Sequence, residues 1–392
     1  MVSCRAFVAG SGVMGLRTAL ELLRKNIPVT LRSPRSPLHS STCSQGAGGI
    51  WMPYSCNDSR IDRWSSETLD ELLSLQQQQK QNNVMIETIT KICLKESHGG
   101  PKVEDFISDE YQTKKGPLPQ WTLDPRLNFQ HLTVEMLGYQ NHVFKLRIPS
   151  QQAMVDAGYK HAWVFNTPVV DTPKMLMNML QEIESYEIAD IDVETNHEYQ
   201  SVEEMVEDAK TFNCNSVVNC AGLGARNICS DDAKNMVGAR GIILHFDRKN
   251  CIRRTMSPEE EYLFQNDASI SVGEGLWGSE TEPAYVIPRG DILVVGGSFL
   301  KDDSTSEISP EERERLLWNA NNLAGIDVTK SKPIGEWTGF RPYREAGIRC
   351  EVDQVYTGVT SDMKVVHNYG HGGSGWTTYV GAAKEVAQLL ST

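Results

Sequence analysis

The 392-residue sequence has no apolar run approaching the ~20 residues that cross a bilayer, no basic cluster and no Cys-x-x-Cys pair. The first absence excludes a helical membrane span. The second combines with a formal net charge of −13, from 38 Lys and Arg against 51 Asp and Glu. Neither nucleic acid nor an anionic membrane surface is therefore an expected partner. Nine cysteines, an odd number and scattered, predict buried thiols in a reducing compartment rather than a disulfide framework, and no metal is expected. The first residues run into a strand and do not read as a signal peptide. The terminal LLST lacks the peroxisomal tripeptide. The cytoplasm is the expected compartment, with a peroxisomal one left open. The length suits one large domain or two of ordinary size.

A further absence is local. RAFVAGSGVMGLRTALELLRKNIPVTLRSP begins with a buried strand near Ala6 to Ala9. Gly10-Ser11-Gly12-Val13-Met14-Gly15 follows, then a helix to about Lys25 and a second strand at Val29 to Leu31. This is the dinucleotide fingerprint in its strand–turn–helix context. Gly10 suits the tight turn, Gly12 the approach of a pyrophosphate, and Gly15 the packing of helix on strand. Phosphates then lie at the positive end of the helix. The acid that usually holds the adenosine ribose is missing; Arg32-Ser33-Pro34 stands there instead. Arg32 alone favours a 2′-phosphate, hence NADP.

Two more glycine loops point elsewhere. SSTCSQGAGGIWMPY (40–54) supplies hydroxyls at Thr42 and Ser44 for phosphate, and Gly46, Gly48 and Gly49 for close approach to a flat ring. HNYGHGGSGWTT (367–378) precedes a final helix from about Thr377 to Leu390, whose N-terminal dipole suits a ring that becomes anionic on reduction. A fingerprint plus two glycine loops fits a long cofactor with a second ring system, FAD.

Other signals give the organisation. CNSVVNC (214–220) reads as a buried strand ended by Ala221-Gly222-Leu223-Gly224, and Lys364 to His367 as another. A Gln-rich helix contains LLSLQQQQKQNN. An exposed loop is expected over Gly99 to Gln120, a hairpin turn at Pro288-Arg289-Gly290-Asp291, and a helix over Ser309 to Ala324 capped by Ser309. The expected fold class is α/β: a Rossmann-type FAD-binding domain built from separated segments (1–60, 150–240, 335–392). A substrate-binding α+β domain (61–149, 241–334) is interleaved with it.

VAGSGVMGL, SQGAGGIWMPY, VVNCAGLGAR, AYVIPRGDILVVGGSF, GFRPYREAGIRCE and VVHNYGHGGSGWTTYVGAAKEVAQLL run in order through the chain. Together they resemble the D-amino-acid oxidase family, which includes D-aspartate oxidase; residues 60–210 are much less alike. The resemblance implies that Arg341 pairs with the substrate carboxylate, where a planar bidentate guanidinium is apt. It implies that the Tyr285 hydroxyl assists, that the Gly373 carbonyl receives the amino group, and that Met52 lines the pocket where animal D-amino-acid oxidases have Gln. It implies too that the loop Gly372, Gly373, Ser374, Gly375, Trp376, Thr377 lies against the flavin. The full cofactor-binding set adds Gly10, Ser11, Gly12, Val13, Met14, Gly15, Ser33, Thr42, Cys43, Ser44, Gly48, Gly49, Ile50, Ala221 and Gly222. A second family tyrosine is Thr281 here, which implies a lid that is different or absent.

The implied reaction is oxidative deamination of D-amino acids to 2-oxo acids, ammonia and hydrogen peroxide, with oxygen as acceptor. No enzyme base is required, because a neutral amine expels hydride onto the flavin; His367 and His371 are read as structural. Neutral or basic side chains are expected, because residues 275–282 offer Glu280 and Glu282 and no base. A D-aspartate oxidase would need a hidden cation, for which Arg289, Arg240 and Arg344 are the candidates. The alternatives from other classes are an NADP-dependent dehydrogenase and a non-catalytic flavoprotein. The expected partners are a small-molecule D-amino acid and oxygen, with a homodimer left open.

Overall fold

The computed structural model describes residues 5–53, 58–79, 85–96, 119–254, 266–356 and 363–391. The loop expected at 99–120 lies, up to residue 118, outside the described residues. Two sheets organise the chain. A six-stranded sheet runs in the order Arg349–Val352, Lys364–Tyr369, Ser216–Asn219, Ala6–Ala9, Val29–Arg32, Ala189–Asp192. All its pairings are parallel except that of the edge strand Arg349–Val352. Its inner strands are short apolar runs buried on both faces, as a parallel sheet covered by helices requires. Helices Val13–Arg24 and Gly375–Ser391 pack on it, and Ile61–Gln78 packs on the last of these.

This strand order explains why the glycine signals are far apart in sequence. The turn at Gly10, the stretch from Ala221 and the loop from Gly370 each follow one of three adjacent parallel strands. All three therefore emerge at the carboxyl end of the sheet, where open α/β sheets bind ligands.

The second sheet has nine strands, mostly antiparallel, in the order Leu300–Lys301, Met236–Asp247, Ile292–Gly296, Ala284–Arg289, Ser269–Val272, Ile86–Glu96, Tyr159–Val170, Gln130–Thr133. Gly335–Arg344 also pairs with Met236–Asp247. The hairpin at Pro288–Asp291 is present, with Arg289 opposite Ile292 and Gly290 at φ 55°. The helix Pro310–Leu323 carries a capping box from Ser309 and Glu312. Sheet membership does not follow the boundaries expected at 150, 240 and 335. Tyr159–Val170 and Gly335–Arg344 belong to the nine-stranded sheet, and Ile61–Gln78 packs with the helices of the other.

The sheets are tied together by Asp232, which is 1% exposed. Its carboxylate accepts from Arg344 Nε at 2.8 Å, on the larger sheet, and from Tyr369 Oη at 2.7 Å and Arg349 Nη1 at 3.3 Å, on the smaller. Burial opposes its charge, but hydrogen bonds from Arg344, Tyr369 and Asn235 prevail and hold the carboxyl at about 2. A depressed folded value means that this stabilisation is present above the unfolded value of about 3.9 and is lost as the pH falls toward 2. Asp232→Asn takes from Arg344 its carboxylate partner and leaves Arg349 with Asp231 and Glu351 only. It is expected to cost about 3 kcal/mol at pH 7 and to flatten the pH dependence of stability between about 4 and 2. Denaturant unfolding of both proteins across that range measures this; parallel pH curves would show that Asp232 does not tie the sheets.

Candidate active site

A cavity of about 990 Å³ runs between the carboxyl end of the parallel sheet and one face of the nine-stranded sheet. At one end is the fingerprint. Gly10 has φ 112°, and a Cβ there would lie 2.5 Å from Cys220 O; a Cβ on Gly15 would lie 1.7 Å from Gly10 O. Gly10 and Gly15 are thus fixed by the chain's own packing, whereas Gly12 faces the cavity at the N-cap of Val13–Arg24. Ser44 Oγ accepts from the Val13 amide at 3.0 Å, so this hydroxyl caps the helix rather than standing free.

Arg32 does not stand free for a 2′-phosphate. It pairs with Asp192 on the adjacent strand at 2.6 Å and lies 4.3 Å from the Phe212 ring centroid. Ser33 Oγ sits 2.9 Å from Ser11 Oγ and donates to Arg35 O at 3.0 Å. Arg35 and Glu198, paired at 2.8 Å, border the same end.

The stretch 40–53 bridges the sheets, and its glycines answer to packing. A Cβ on Gly46 would lie 2.2 Å from the Trp337 ring, and one on Gly48 would lie 2.5 Å from Ile287 Cδ1. A Cβ on Gly49 (φ 73°) would lie 2.2 Å from Val170 O. Close approach to a flat ring was the expected reason for these glycines. Instead, protein atoms occupy the positions their side chains would take. The buried Arg289 donates to Ala47 O and, at 3.0 Å, to Thr172 Oγ1, which anchors the loop; burial brings its guanidinium down to about 10. Trp376 Nε1 donates to Ser44 O at 2.9 Å, and Thr377 Oγ1 both accepts from Met52 N (3.2 Å) and donates to Met52 O (3.1 Å). The final helix is so held against the loop.

At the other end of the cavity lies Arg341. Its guanidinium rests on Gly241, where a Cβ would be 2.6 Å from Nη1, and it donates to Ser298 O at 2.8 Å. Among the described residues no carboxylate forms an ion pair with it. Cys43 lies nearby, but burial raises its thiol in spite of Arg341, so it supplies no anion. The Tyr285 ring covers Gly296 and Gly297, each of whose Cβ positions would be 2.3 Å from it. A Cβ on Gly373 would lie 3.9 Å from Arg341 Cδ. Arg341, Tyr285, Gly373 and Met52 therefore all border one cavity.

Gly10, Ser11, Gly12, Val13, Met14, Ser33, Thr42, Cys43, Ser44, Gly48, Gly49, Ile50, Ala221, Gly222, Gly372, Gly375 and Trp376 also line it, while Gly15, Ser374 and Thr377 do not. His371 is buried and shares hydrogen bonds with Thr378 Oγ1 and Asn368 Oδ1, each at 2.9 Å. Burial drives its imidazole down to about 3, so it is neutral and unsuited to proton transfer near neutrality.

Residues 275–282 offer acids and no base, as expected, but they are not the whole of the pocket. Glu280 does line the cavity, but so do Lys91 and Lys95, from the strand Ile86–Glu96. The three arginines considered as hidden cations are engaged elsewhere: Arg289 on Ala47, Arg240 with Glu312 and Asp303, and Arg344 with Asp232. Lys91 was missed, as was Trp337, which fills the space between Gly46 and Gly339.

Residues 5–389 match the family model described as FAD dependent oxidoreductase, and the chain belongs to this family. Its cofactor is FAD. The chain is 24% identical to a D-amino-acid oxidase of Dictyostelium discoideum over 98% of this chain and 90% of that one. It is likewise 24% identical to one of Rubrobacter xylanophilus, over 99% and 96%. Among solved structures it is similar to the glycine oxidase of Bacillus cereus (TM-score 0.68, 14% identity, covering 99% and 95%). It also resembles the iminodiacetate oxidase of Chelativorans sp. BNC1 (TM-score 0.67, 14%, 99% and 95%) and the L-proline dehydrogenase of P. horikoshii (TM-score 0.66, 12%, 99% and 93%).

If Trp337 rather than the cofactor dictates Gly46, Gly46→Ala should lower stability by about 1–3 kcal/mol whether or not flavin is bound. Thermal melts of flavin-free and flavin-loaded protein test this. A loss confined to the loaded form would return the glycine to the cofactor.

Proposed function

We propose that this protein oxidatively deaminates D-amino acids, holding the substrate carboxylate on Arg341. The observation that carries the reading is the Arg341 guanidinium, which borders the cofactor cavity without a carboxylate partner among the described residues. The cavity fits FAD. It is long enough to reach from the amide end of the helix Val13–Arg24, where a pyrophosphate is favoured, to the loop that begins the final helix. FAD, when bound, supplies the two-electron acceptor, and oxygen is the proposed final one.

The chain's own part is orientation. Arg341 offers two parallel N–H donors to a carboxylate and the Tyr285 hydroxyl adds a third, so the substrate is fixed at one end. Gly373, beside Arg341, presents backbone to the amino group. With the carboxylate and amine both held, only one hand of the α-carbon directs its hydrogen at the ring, which is the proposed source of D-selectivity. His371 takes no proton, so the substrate amine is expected to bind neutral or to lose its proton to water.

The proposed product set is a 2-oxo acid, ammonia and peroxide, and a panel of D- and L-amino acids assayed for peroxide tests it. Arg341→Lys should keep its flavin yet raise KM for the best D-amino acid by tens of fold, about 2–3 kcal/mol. An unchanged KM would remove Arg341 from the site.

A further inference from the structure

Lys91 lies in the middle of the strand Ile86–Glu96, is 2% exposed, and borders the cavity that holds Arg341 and Tyr285. Its ammonium donates to Ser269 Oγ at 3.2 Å, and that hydroxyl donates onward to Val286 O at 3.0 Å. No carboxylate among the described residues pairs with it, and no second hydrogen bond is made there. A buried ammonium with one neutral partner is costly unless an anion reaches it. Burial accordingly pulls the amine below the usual lysine range.

The sheet register says what Lys91 faces. Tyr285 is opposite Ser271, and Ser271 is opposite Cys93. Lys91 is two residues from Cys93 and so shares its face. Two strand spacings and one two-residue step put the α-carbons of Tyr285 and Lys91 about 12 Å apart. The Lys91 side chain leans toward the strand that carries Tyr285, since its amine meets Ser269 on the intervening strand. Between them lie Ser271, Cys93 and Met52, with Ser271 Oγ 3.5 Å from Cys93 Sγ and Cys93 Sγ 4.0 Å from Met52 Sδ. Once both side chains project over this floor, the remaining gap suits a few methylenes.

The acids of the cavity do not cancel this charge. Glu280 is exposed at the mouth, and Glu274 accepts from the Glu96 amide at 3.1 Å. A solvated carboxylate is screened, whereas a buried ammonium acts through a low dielectric.

We propose that Lys91 is the receptor for a second anionic group on the substrate, so that D-amino acids with a side-chain carboxylate are preferred over their neutral isosteres. The proposal rests on the assignment of the α-carboxylate to Arg341. It makes Lys91 a specificity determinant at the far end of the same pocket.

The test on the FAD-loaded protein compares a diacid with a monoacid in binding, and a charged side chain with its neutral isostere in turnover. Calorimetric binding of glutarate against butyrate reports the second anion site without turnover; kcat/KM for D-glutamate against D-glutamine reports it in turnover. Glutarate is expected to bind at least tenfold more tightly than butyrate, and D-glutamate to lead D-glutamine. Lys91→Met should shrink both ratios by tenfold or more, and Lys91→Arg should restore part of them. Equal binding of glutarate and butyrate by the native protein overturns the proposal, whether or not either variant folds. So do ratios that survive Lys91→Met in a protein that retains flavin. A protein that binds glutarate tightly but oxidises no D-amino acid of either kind would instead sink the deaminase reading and leave the anion site standing.

Discussion

The Arg341 guanidinium lies flat on the bare backbone of Gly241 and donates to Ser298 O, while no carboxylate among the described residues reaches it. A cation kept in this way needs a wall that approaches within van der Waals distance without a side chain, and a partner from outside. Gly241 meets the first need. Its strand, Met236–Asp247, pairs with the strand that carries Arg341, so the sheet itself sets the guanidinium in place. The second need defines the site. The six-stranded sheet delivers three glycine turns to the same side, and the stretch 40–53 closes the gap between the sheets. The result is one continuous cavity with a phosphate-favouring helix terminus at one end and a carboxylate-favouring guanidinium at the other.

The same seam shows how tightly the two sheets constrain one another. Gly46, Gly48 and Gly49 leave no room for side chains because Trp337, Ile287 and the backbone of Val170 fill it. Arg289 secures the loop from below, and Asp232 gathers Arg344, Arg349 and Tyr369 from both sheets. Buried charge thus fixes the relative position of elements that frame the cavity. A network of this kind is a registration device as much as a source of stability.

The fold and the cofactor end were largely legible because their signals are local: a strand, a glycine at a fixed spacing, a helix. Gly10, Gly12 and Gly15, the capped helix after Ser309, and the Pro288–Asp291 hairpin all depend on neighbours a few residues away. The reasons behind the second glycine loop were not legible, since Trp337 and Ile287 are hundreds of residues distant. Lys91 escaped for a different reason. Glu87, Lys91 and Lys95 alternate with Ile86, Ile92 and Leu94 along IETITKICLKE, a pattern that reads as a solvent face. That face borders the cavity because distant segments such as the one carrying Met52 come to lie over it, which no period-two pattern can announce. Arg32 misled in the opposite direction: its charge is consumed by Asp192, a partner 160 residues away.

The central claim is that this cavity presents the α-hydrogen of a D-amino acid, held by its carboxylate, to bound FAD. Anaerobic mixing of the FAD-loaded protein with each enantiomer of one amino acid, followed at the visible flavin absorbance band, tests it directly. The account predicts bleaching by the D-enantiomer, little or none by the L-enantiomer, and return of the colour on admitting oxygen. Equal bleaching by both enantiomers, or by neither across a panel of side chains, would contradict it.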